Sequence, residues 1–108
     1  MRNPFTAELG SICKSRSRSC TINQDNGLTL AHTIAHEIGH TLRIPHDPPD
    51  DPRCGGEAGN FVMAPRLETD IRSLRWSPCS REHLNAFLEQ EVKSTMCTFV
   101  RTYGTYYV

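Results

Sequence analysis

The chain has 108 residues, and its 12 lysines and arginines balance 12 aspartates and glutamates, so its formal net charge is zero. This balance argues against a nucleic-acid partner and against an anionic membrane surface. No run of 18 apolar residues is present, which argues against a transmembrane segment, and the initial "MRNPFTAELG" lacks the apolar core of a signal peptide.

The first predicted element is a helix over about residues 28–42, since apolar residues recur there with the 3.6-residue period of a helix. The letters "DNG" at 25–27 supply cap and turn chemistry before it. Ile44 and Pro45 end the helix, because the residue before a proline is pushed out of the α region.

A loop, a turn and a second helix follow. The stretch 47–60, rich in proline, glycine and aspartate, predicts a loop, and "NFVMAP" at 60–65 predicts a short apolar turn. A second helix is predicted from about Ser77 to Val92, with Ser77 as N-cap and Pro78 at the first helical position. Its predicted buried stripe consists of Leu84, Phe87, Leu88 and Val92.

Strand signals are scarce. The tail at 98–108 alternates in a strand-like way. Elsewhere the pattern is so weak that the sequence predicts no sheet on which the two helices could rest.

Five cysteines are many for a domain of this size: Cys13, Cys20, Cys54, Cys79 and Cys97. Such a content is typical of a disulfide framework formed in an oxidising compartment, and the odd number leaves one cysteine without a partner. Together with the lack of an export signal, this leads us to expect a piece of a longer secreted protein that lacks its beginning.

The stretch "AHEIGHTLRIPHD" at 35–47 contains three of the five histidines. His36 and His40, four residues apart, lie on one face of the predicted helix, where two neutral imidazoles can bind one zinc ion. Glu37 lies about 100° round the helix from His36. From there its carboxylate can reach a water molecule at the open zinc position, where a general base is useful.

His46 follows His40 by six residues, and a continued helix would carry it about 9 Å along the axis and away from the metal. The helix break at Pro45 instead lets the chain fold back, which predicts a third ligand from the turn. Two helical histidines can also be ordinary polar surface. The third histidine at this offset, the helix break and the turn at Met63 favour the metal site.

The other two histidines are interpreted as structural. His32 lies one turn before His36, but a catalytic zinc needs three protein ligands and an open position. His83 is alone on the second helix and is interpreted as a surface or packing histidine. A closed four-ligand zinc module fits poorly, because the sequence has no C-x-x-C pair.

Two groups of motifs resemble known proteases. "HEIGHTLRIPHD" with "NFVMAP" resembles the metzincin signature H-E-x-x-H-x-x-G-x-x-H and its methionine turn, and Asp47 resembles the adamalysin branch. "CTINQDNGLTLAHTIAHEIGHTL" and "LRWSPCSREHLNAFL" resemble the catalytic domain of the disintegrin-like metalloproteases with thrombospondin motifs, the ADAMTS group. The resemblance covers about residues 7–97.

The resemblance implies an α+β fold: the C-terminal half of a metzincin (zincin-like) catalytic domain, with an active-site helix, a long loop with the methionine turn, and a C-terminal helix. Residues 1–108 would be a partial peptidase M12B (reprolysin/ADAMTS-type) catalytic domain, with a divergent tail at 98–108. Most of the sheet, including the strand along which substrates align, would lie in the upstream half.

At matching positions, the resemblance implies three zinc ligands, one catalytic base and one turn methionine packed beneath the metal: His36, His40 and His46, Glu37, and Met63. Ala64 and Pro65 would lie beside the pocket that receives the residue after the scissile bond. The resemblance also implies two disulfides and one cysteine whose partner belongs to the upstream half: Cys54–Cys79, Cys13–Cys97, and Cys20.

The function implied is that of a secreted, extracellular zinc metalloendopeptidase, which hydrolyses peptide bonds of extracellular or matrix proteins with a water molecule activated by Glu37. Structural calcium is also implied, without assigned ligands. The alternative is an inactive zinc-binding fragment or interaction module, because half a domain can lack a substrate cleft.

Arg43 departs from the resemblance, because the family usually has glycine there. If the turn requires a left-handed backbone, a side chain costs about 1–2 kcal/mol. We therefore expect Arg43 to strain the turn that carries His46, and a glycine at this position to tighten zinc binding.

Overall fold

The structure, a computed structural model, describes residues 6–15, 17–25, 27–55, 61–66 and 74–91. The predicted tail at 98–108 lies outside this part of the chain. The elements in chain order are two strands, a 3₁₀ turn and two helices: β1 (Thr6–Ala7), β2 (Thr21–Ile22), the turn Gly27–Thr29, α1 (Leu30–Thr41) and α2 (Pro78–Glu91). The predicted α+β class is confirmed.

A small sheet accompanies α1. β1 and β2 pair antiparallel, with Thr6 opposite Ile22 and Ala7 opposite Thr21. Both strands pack against α1. The prediction that no sheet supports the helices was wrong, because strands of two residues are too short to leave an alternating pattern in the sequence.

The helix predicted over 28–42 is shorter at its start. α1 begins at Leu30, after the 3₁₀ turn, and ends at Thr41 with Leu42 as its C-cap. Its apolar side chains Ile34 and Ile38 are exposed. The buried residues of α1 are instead mostly polar: His32, Thr33, Glu37, Gly39 and Thr41. Burying polar groups costs free energy unless they are hydrogen-bonded, so apolar packing alone does not explain this burial pattern.

α2 begins as predicted. The Ser80 amide donates to Oγ of Ser77 at 2.9 Å, which is the N-cap hydrogen bond, and Pro78 is the first helical residue. Phe87 is buried, whereas Leu88 is 45% exposed.

The predicted stripe was therefore wrong at Leu88, and Val92 lies outside the described residues. The buried side of α2 runs along positions 84, 87 and 91, where the Glu91 side chain is only 13% exposed. Leu88 lies outside this buried strip, which is narrower than the predicted one.

The apolar core lies where the turn after α1 meets the methionine turn. Ile44, Val62 and Met63 are almost fully buried, and four partly buried side chains pack around them: Ala35, Leu42, Trp76 and Leu84. Val62 and Met63 of the predicted apolar turn are thus part of the core beneath α1.

One predicted disulfide is present, and only one cysteine of the second predicted disulfide lies within the described residues. Cys54 and Cys79 form a disulfide with their Cα atoms 6.0 Å apart, which joins the loop after α1 to the first turn of α2. Cys13 is also disulfide-bonded, and its predicted partner, Cys97, lies outside the described residues. Cys20 is exposed and carries a free thiol.

Among the described helices, none has the length and apolar character needed to cross a bilayer.

Candidate metal centre

Three histidine rings converge at the end of α1. The helical spacing places His36 and His40 one turn apart on the same face, with ring centroids 4.8 Å apart. Nε2 of His46 lies 3.2 Å from Nε2 of His36 and 3.2 Å from Nε2 of His40. The structure therefore brings the three predicted ligands together at the atoms that bind metals.

Backbone carbonyls fix the rings of the two helical histidines. Nδ1 of His36 donates to the carbonyl oxygen of Val62 at 2.6 Å, and Nδ1 of His40 donates to that of Ile44 at 2.9 Å. Since a carbonyl only accepts, the neutral rings carry their proton on Nδ1. Each Nε2 then has a lone pair that points toward His46. Carbonyl partners of this kind orient metal-binding histidines in many proteins.

The distances from Nε2 of His46 to the other two nitrogens fit zinc. Two nitrogen ligands of a tetrahedral zinc ion lie about 3.3 Å apart, given Zn–N distances of about 2.0–2.1 Å. The observed separations of 3.2 Å agree with this value. Three histidines also leave the fourth position open, as in catalytic zinc sites.

The chain returns to the metal centre through a tight turn. The Ile44 amide donates to the Gly39 carbonyl at 3.0 Å and the Arg43 amide donates to the His40 carbonyl at 2.9 Å, which are the two hydrogen bonds of a Schellman motif. Arg43 has a φ of 62°, in the left-handed region where glycine is usual. The left-handed backbone considered from the sequence is thus present, and a side chain there costs about 1–2 kcal/mol.

Gly39 and Met63 determine how closely α1 packs against the methionine turn. A Cβ atom on Gly39 would lie 2.5 Å from Sδ of Met63 and 3.1 Å from the ring of Trp76. Only a glycine lets the helix approach the methionine turn so closely. The Asp47 amide then donates to the Met63 carbonyl at 2.8 Å, so the methionine turn also holds the chain directly after His46.

Glu37 borders the same space as the histidines. It is only 6% exposed, and burial raises the pKa of its carboxyl group. A cavity of about 340 Å³ opens in front of it. The cavity is lined by residues of β1, α1, the segment after α1 and the methionine turn: Thr6, Ala7, His32, Thr33, His36, Glu37, His40, His46, Ala64 and Pro65. Ala64 and Pro65 therefore lie beside this cavity.

Burial also favours the neutral form of His36 and His46. It is the main cause that lowers the pKa of His36 to about 4, and the neighbouring imidazoles lower it further against the opposing effect of the Val62 carbonyl. The pKa of His46 is also lowered, chiefly by burial. Neutral imidazole is the form that binds a metal.

Asp47 forms a buried polar cluster that sequence reasoning missed. Its carboxylate accepts hydrogen bonds from the hydroxyls of Ser77 and Ser80. Burial raises the pKa of Asp47, and these hydrogen bonds oppose the rise. The cluster joins the residue after His46 to the N-terminus of α2. Two sequence signals were present: Asp47 was noted only for the family resemblance, and Ser77 was assigned to capping alone.

The remaining histidines lie apart from the three-nitrogen cluster. His32 is buried, and its ring stacks on that of His36 with centroids 6.5 Å apart. His83 is exposed on α2. A second group of potential ligands, Asp51 with Cys54 and Cys79, has both sulfurs in a disulfide. Among the described residues, neither the three-histidine cluster nor this second group is the oxygen-rich set of ligands that calcium prefers.

Comparison with known proteins agrees with this geometry. The Reprolysin (M12B) family zinc metalloprotease model matches residues 3–99. The chain belongs to this reprolysin family. A disintegrin and metalloproteinase with thrombospondin motifs gon-1 of Caenorhabditis elegans is 46% identical over 98 residues, which cover 86% of this chain and 4% of that protein.

Two further reprolysin relatives are similar to the chain. A disintegrin and metalloproteinase with thrombospondin motifs 20 of Mus musculus is 47% identical over 87 residues, covering 77% of this chain and 4% of that protein. A disintegrin and metalloproteinase with thrombospondin motifs 8 of Homo sapiens is 41% identical over 87 residues, covering 77% of this chain and 9% of that protein. The chain thus spans less than a tenth of the length of these relatives.

Proposed function

We propose that this chain is the zinc-binding and catalytic part of a secreted metalloendopeptidase that cleaves extracellular proteins. His36, His40 and His46 would hold the zinc ion, and Glu37 would act as general base. The observation that carries the proposal is that Nε2 of His46 lies 3.2 Å from Nε2 of both His36 and His40, beside a buried carboxylate. Membership of the reprolysin family supports it independently.

When bound, zinc supplies a Lewis acid that polarises the scissile carbonyl group. The Val62 and Ile44 carbonyls hold the rings of His36 and His40 so that their Nε2 lone pairs face the metal. No cysteine, serine or threonine nucleophile is needed for this reaction class.

Glu37 handles the proton in the proposed reaction. Its carboxylate accepts a proton from the attacking water molecule and passes it to the leaving amine. Burial raises its pKa above the ordinary value, which brings the carboxyl group closer to the range in which it can both take up and return a proton.

The substrate would lie across the cavity as an extended peptide. β1 borders the cavity through Thr6 and Ala7, and within the described residues it pairs only with β2. Although the resemblance placed the substrate-aligning strand in the upstream half, we propose that the other edge of β1 would offer backbone groups with which an extended segment can pair, as in β-strand addition. Ala64 and Pro65 would flank the side chain that follows the scissile bond.

The experiment that tests this function compares the full 108-residue protein with Glu37→Gln. We expect the wild-type protein to hydrolyse a general fluorogenic peptide and to lose this activity with a zinc chelator. Glu37→Gln keeps the size of the buried side chain and should bind zinc with unchanged affinity. Its hydrolysis should fall roughly 10²–10⁴-fold, the usual range for a lost general base.

A matched control is Glu89→Gln, which alters an exposed carboxyl group on α2 and should leave hydrolysis unchanged. Hydrolysis that persists in Glu37→Gln would overturn the assigned base. Zinc binding by the wild-type protein without any hydrolysis would favour the alternative function, a zinc-binding module that does not cleave peptides.

A further inference from the structure

Arg43 connects the turn after α1 to the last turn of α2. Its Nη1 donates to Oε1 of Gln90 at 3.0 Å, and its Nη2 donates to Oε1 of Glu91 at 2.9 Å. The guanidinium carbon lies over the ring of Phe87, 5.2 Å from the ring centre. These three partners lie on one face of α2, since they are spaced three and four residues apart.

The same side chain is also held from the opposite direction. Gly10, with a φ of 67°, lies so close to Arg43 that a Cβ atom there would be 2.9 Å from Nε and 3.3 Å from Cβ of the arginine. The Gly10 amide donates to the His40 carbonyl at 2.8 Å, the carbonyl that also accepts from the Arg43 amide. Arg43 is thus packed between the segment after β1 and α2.

The turn that Arg43 anchors controls two of the three proposed ligands. The carbonyl of the next residue, Ile44, accepts the hydrogen bond from Nδ1 of His40. His46 itself follows Arg43 by three residues and lies 3.2 Å from both helical imidazoles. A shift of this turn would therefore move His46 and release the ring of His40.

We propose that Arg43 is a positioning residue for the metal centre: its contacts with α2 hold the left-handed turn in the one arrangement that brings His46 to the other two histidines. The inference rests on the proposed function and deepens it. It also explains why an arginine occupies a backbone position that favours glycine. Its contacts with Phe87, Gln90 and Glu91 offset the backbone strain.

The test measures zinc affinity of the full chain by competition with a chromophoric chelator, together with the visible absorption of the Co²⁺-loaded protein and the melting temperature. Arg43→Ala keeps a Cβ atom at the left-handed position and loses every contact with α2. We expect it to weaken zinc binding about tenfold, within the range for residues that orient ligands, and to change the Co²⁺ spectrum.

Two further variants separate the effect of the contacts with α2 from the effect of the backbone strain. Arg43→Lys retains a charge near Glu91 but lacks the planar guanidinium fork that lies over Phe87, and should restore part of the affinity. Arg43→Gly loses the contacts but relieves the backbone, and should bind zinc more tightly than Arg43→Ala and less tightly than the wild type. This replaces the expectation from sequence alone, which had no knowledge of the side-chain contacts.

The matched control is Arg53→Ala. Arg53 also ties a loop to α2, through Asp51 and Glu82, but at the other end of the helix. We expect its loss to leave zinc affinity and the Co²⁺ spectrum unchanged. Equal weakening by both arginine variants would show a general loss of stability and would overturn the positioning role.

A double variant closes the test. In a His46→Ala background, the penalty of Arg43→Ala should fall clearly below tenfold, because His46 is gone and only the orientation of His40 still depends on the turn. A penalty that stays tenfold, or Arg43→Gly binding more tightly than the wild type, would overturn the inference while the proposed function stands. If the wild-type protein fails to bind zinc, the proposed function fails and the inference is overturned with it.

Discussion

The Nε2 atoms of His40 and His46 lie 3.2 Å apart, although six residues and the end of α1 separate them. The Schellman turn centred on Arg43 reverses the chain, and the hydrogen bond from the Asp47 amide to the Met63 carbonyl holds it on the far side. Both restraints act through the backbone. We therefore expect the three imidazoles to bind a metal ion as a unit.

The first prediction concerns His46. His46→Ala should lower zinc affinity by at least roughly 100-fold, since loss of a ligand costs no less than the upper end of the range for residues that only orient ligands. Competition with a chelator measures the change. His83→Ala, at an exposed histidine of α2, is the control and should bind zinc like the wild type. Equal affinities in the two variants would exclude His46 as a ligand.

A second prediction concerns Gly39. Gly39→Ala places a Cβ atom 2.5 Å from Sδ of the fully buried Met63. Overpacking of this kind costs about 1–3 kcal/mol. Replacing a helical glycine by alanine gains about 1 kcal/mol in helix propensity, so an overpacking cost in the upper part of its range leaves a net loss of stability. Urea unfolding should show a less stable protein. Asn85→Ala, at an exposed position of α2, should be neutral or stabilising, and the prediction is refuted if Gly39→Ala behaves the same way.

The third prediction concerns the Cys54–Cys79 disulfide, which spans 25 residues. Replacing both cysteines by alanine should lower the free energy of unfolding by about 3 kcal/mol, mainly because the unfolded chain gains freedom. Cys20→Ser changes an exposed free thiol and should leave stability unchanged in the same denaturant titration. A double alanine variant as stable as Cys20→Ser would contradict the assignment of this bond as a main support of the loop.

A fourth prediction concerns pH in the metal-free protein. Burial lowers the pKa of His36 from 6.5 to about 4, so between these values the unfolded state binds more protons than the folded state. The contribution of His36 to the free energy of unfolding should therefore fall as the pH is lowered from about 6.5 to 4. The raised pKa values of Glu37 and Asp47 act in the opposite direction.

The contribution of His36 is isolated by His36→Gln, which keeps both carboxyl groups. The difference in unfolding free energy between wild type and variant should shift against the wild type as the pH drops through this window. A difference that is constant with pH would contradict the lowered pKa.

The sequence predicted the histidine cluster because its cause is local. A helical period places His36 and His40, and Pro45 forces the chain out of the helix before His46. The N-cap role of Ser77 was predictable for the same reason. Each depends on residues that are close neighbours in the chain.

Features set by contacts between distant segments were not predictable. Val62 presents its carbonyl to His36 across 26 residues, and Arg43 reaches α2 across more than 40. Nothing in the local pattern of either residue signals its partner. Leu88 was assigned to the buried stripe because periodicity gives the apolar face of a helix, but not how wide a strip its neighbours cover.

The most direct test of the metal centre is zinc K-edge X-ray absorption on the zinc-loaded 108-residue protein. The account predicts three imidazole nitrogens at about 2.0–2.1 Å with the outer scattering typical of histidine rings, and a fourth light ligand. Loss of one imidazole in His46→Ala should follow. A wild-type spectrum without imidazole scattering, or one dominated by sulfur at about 2.3 Å, would contradict it.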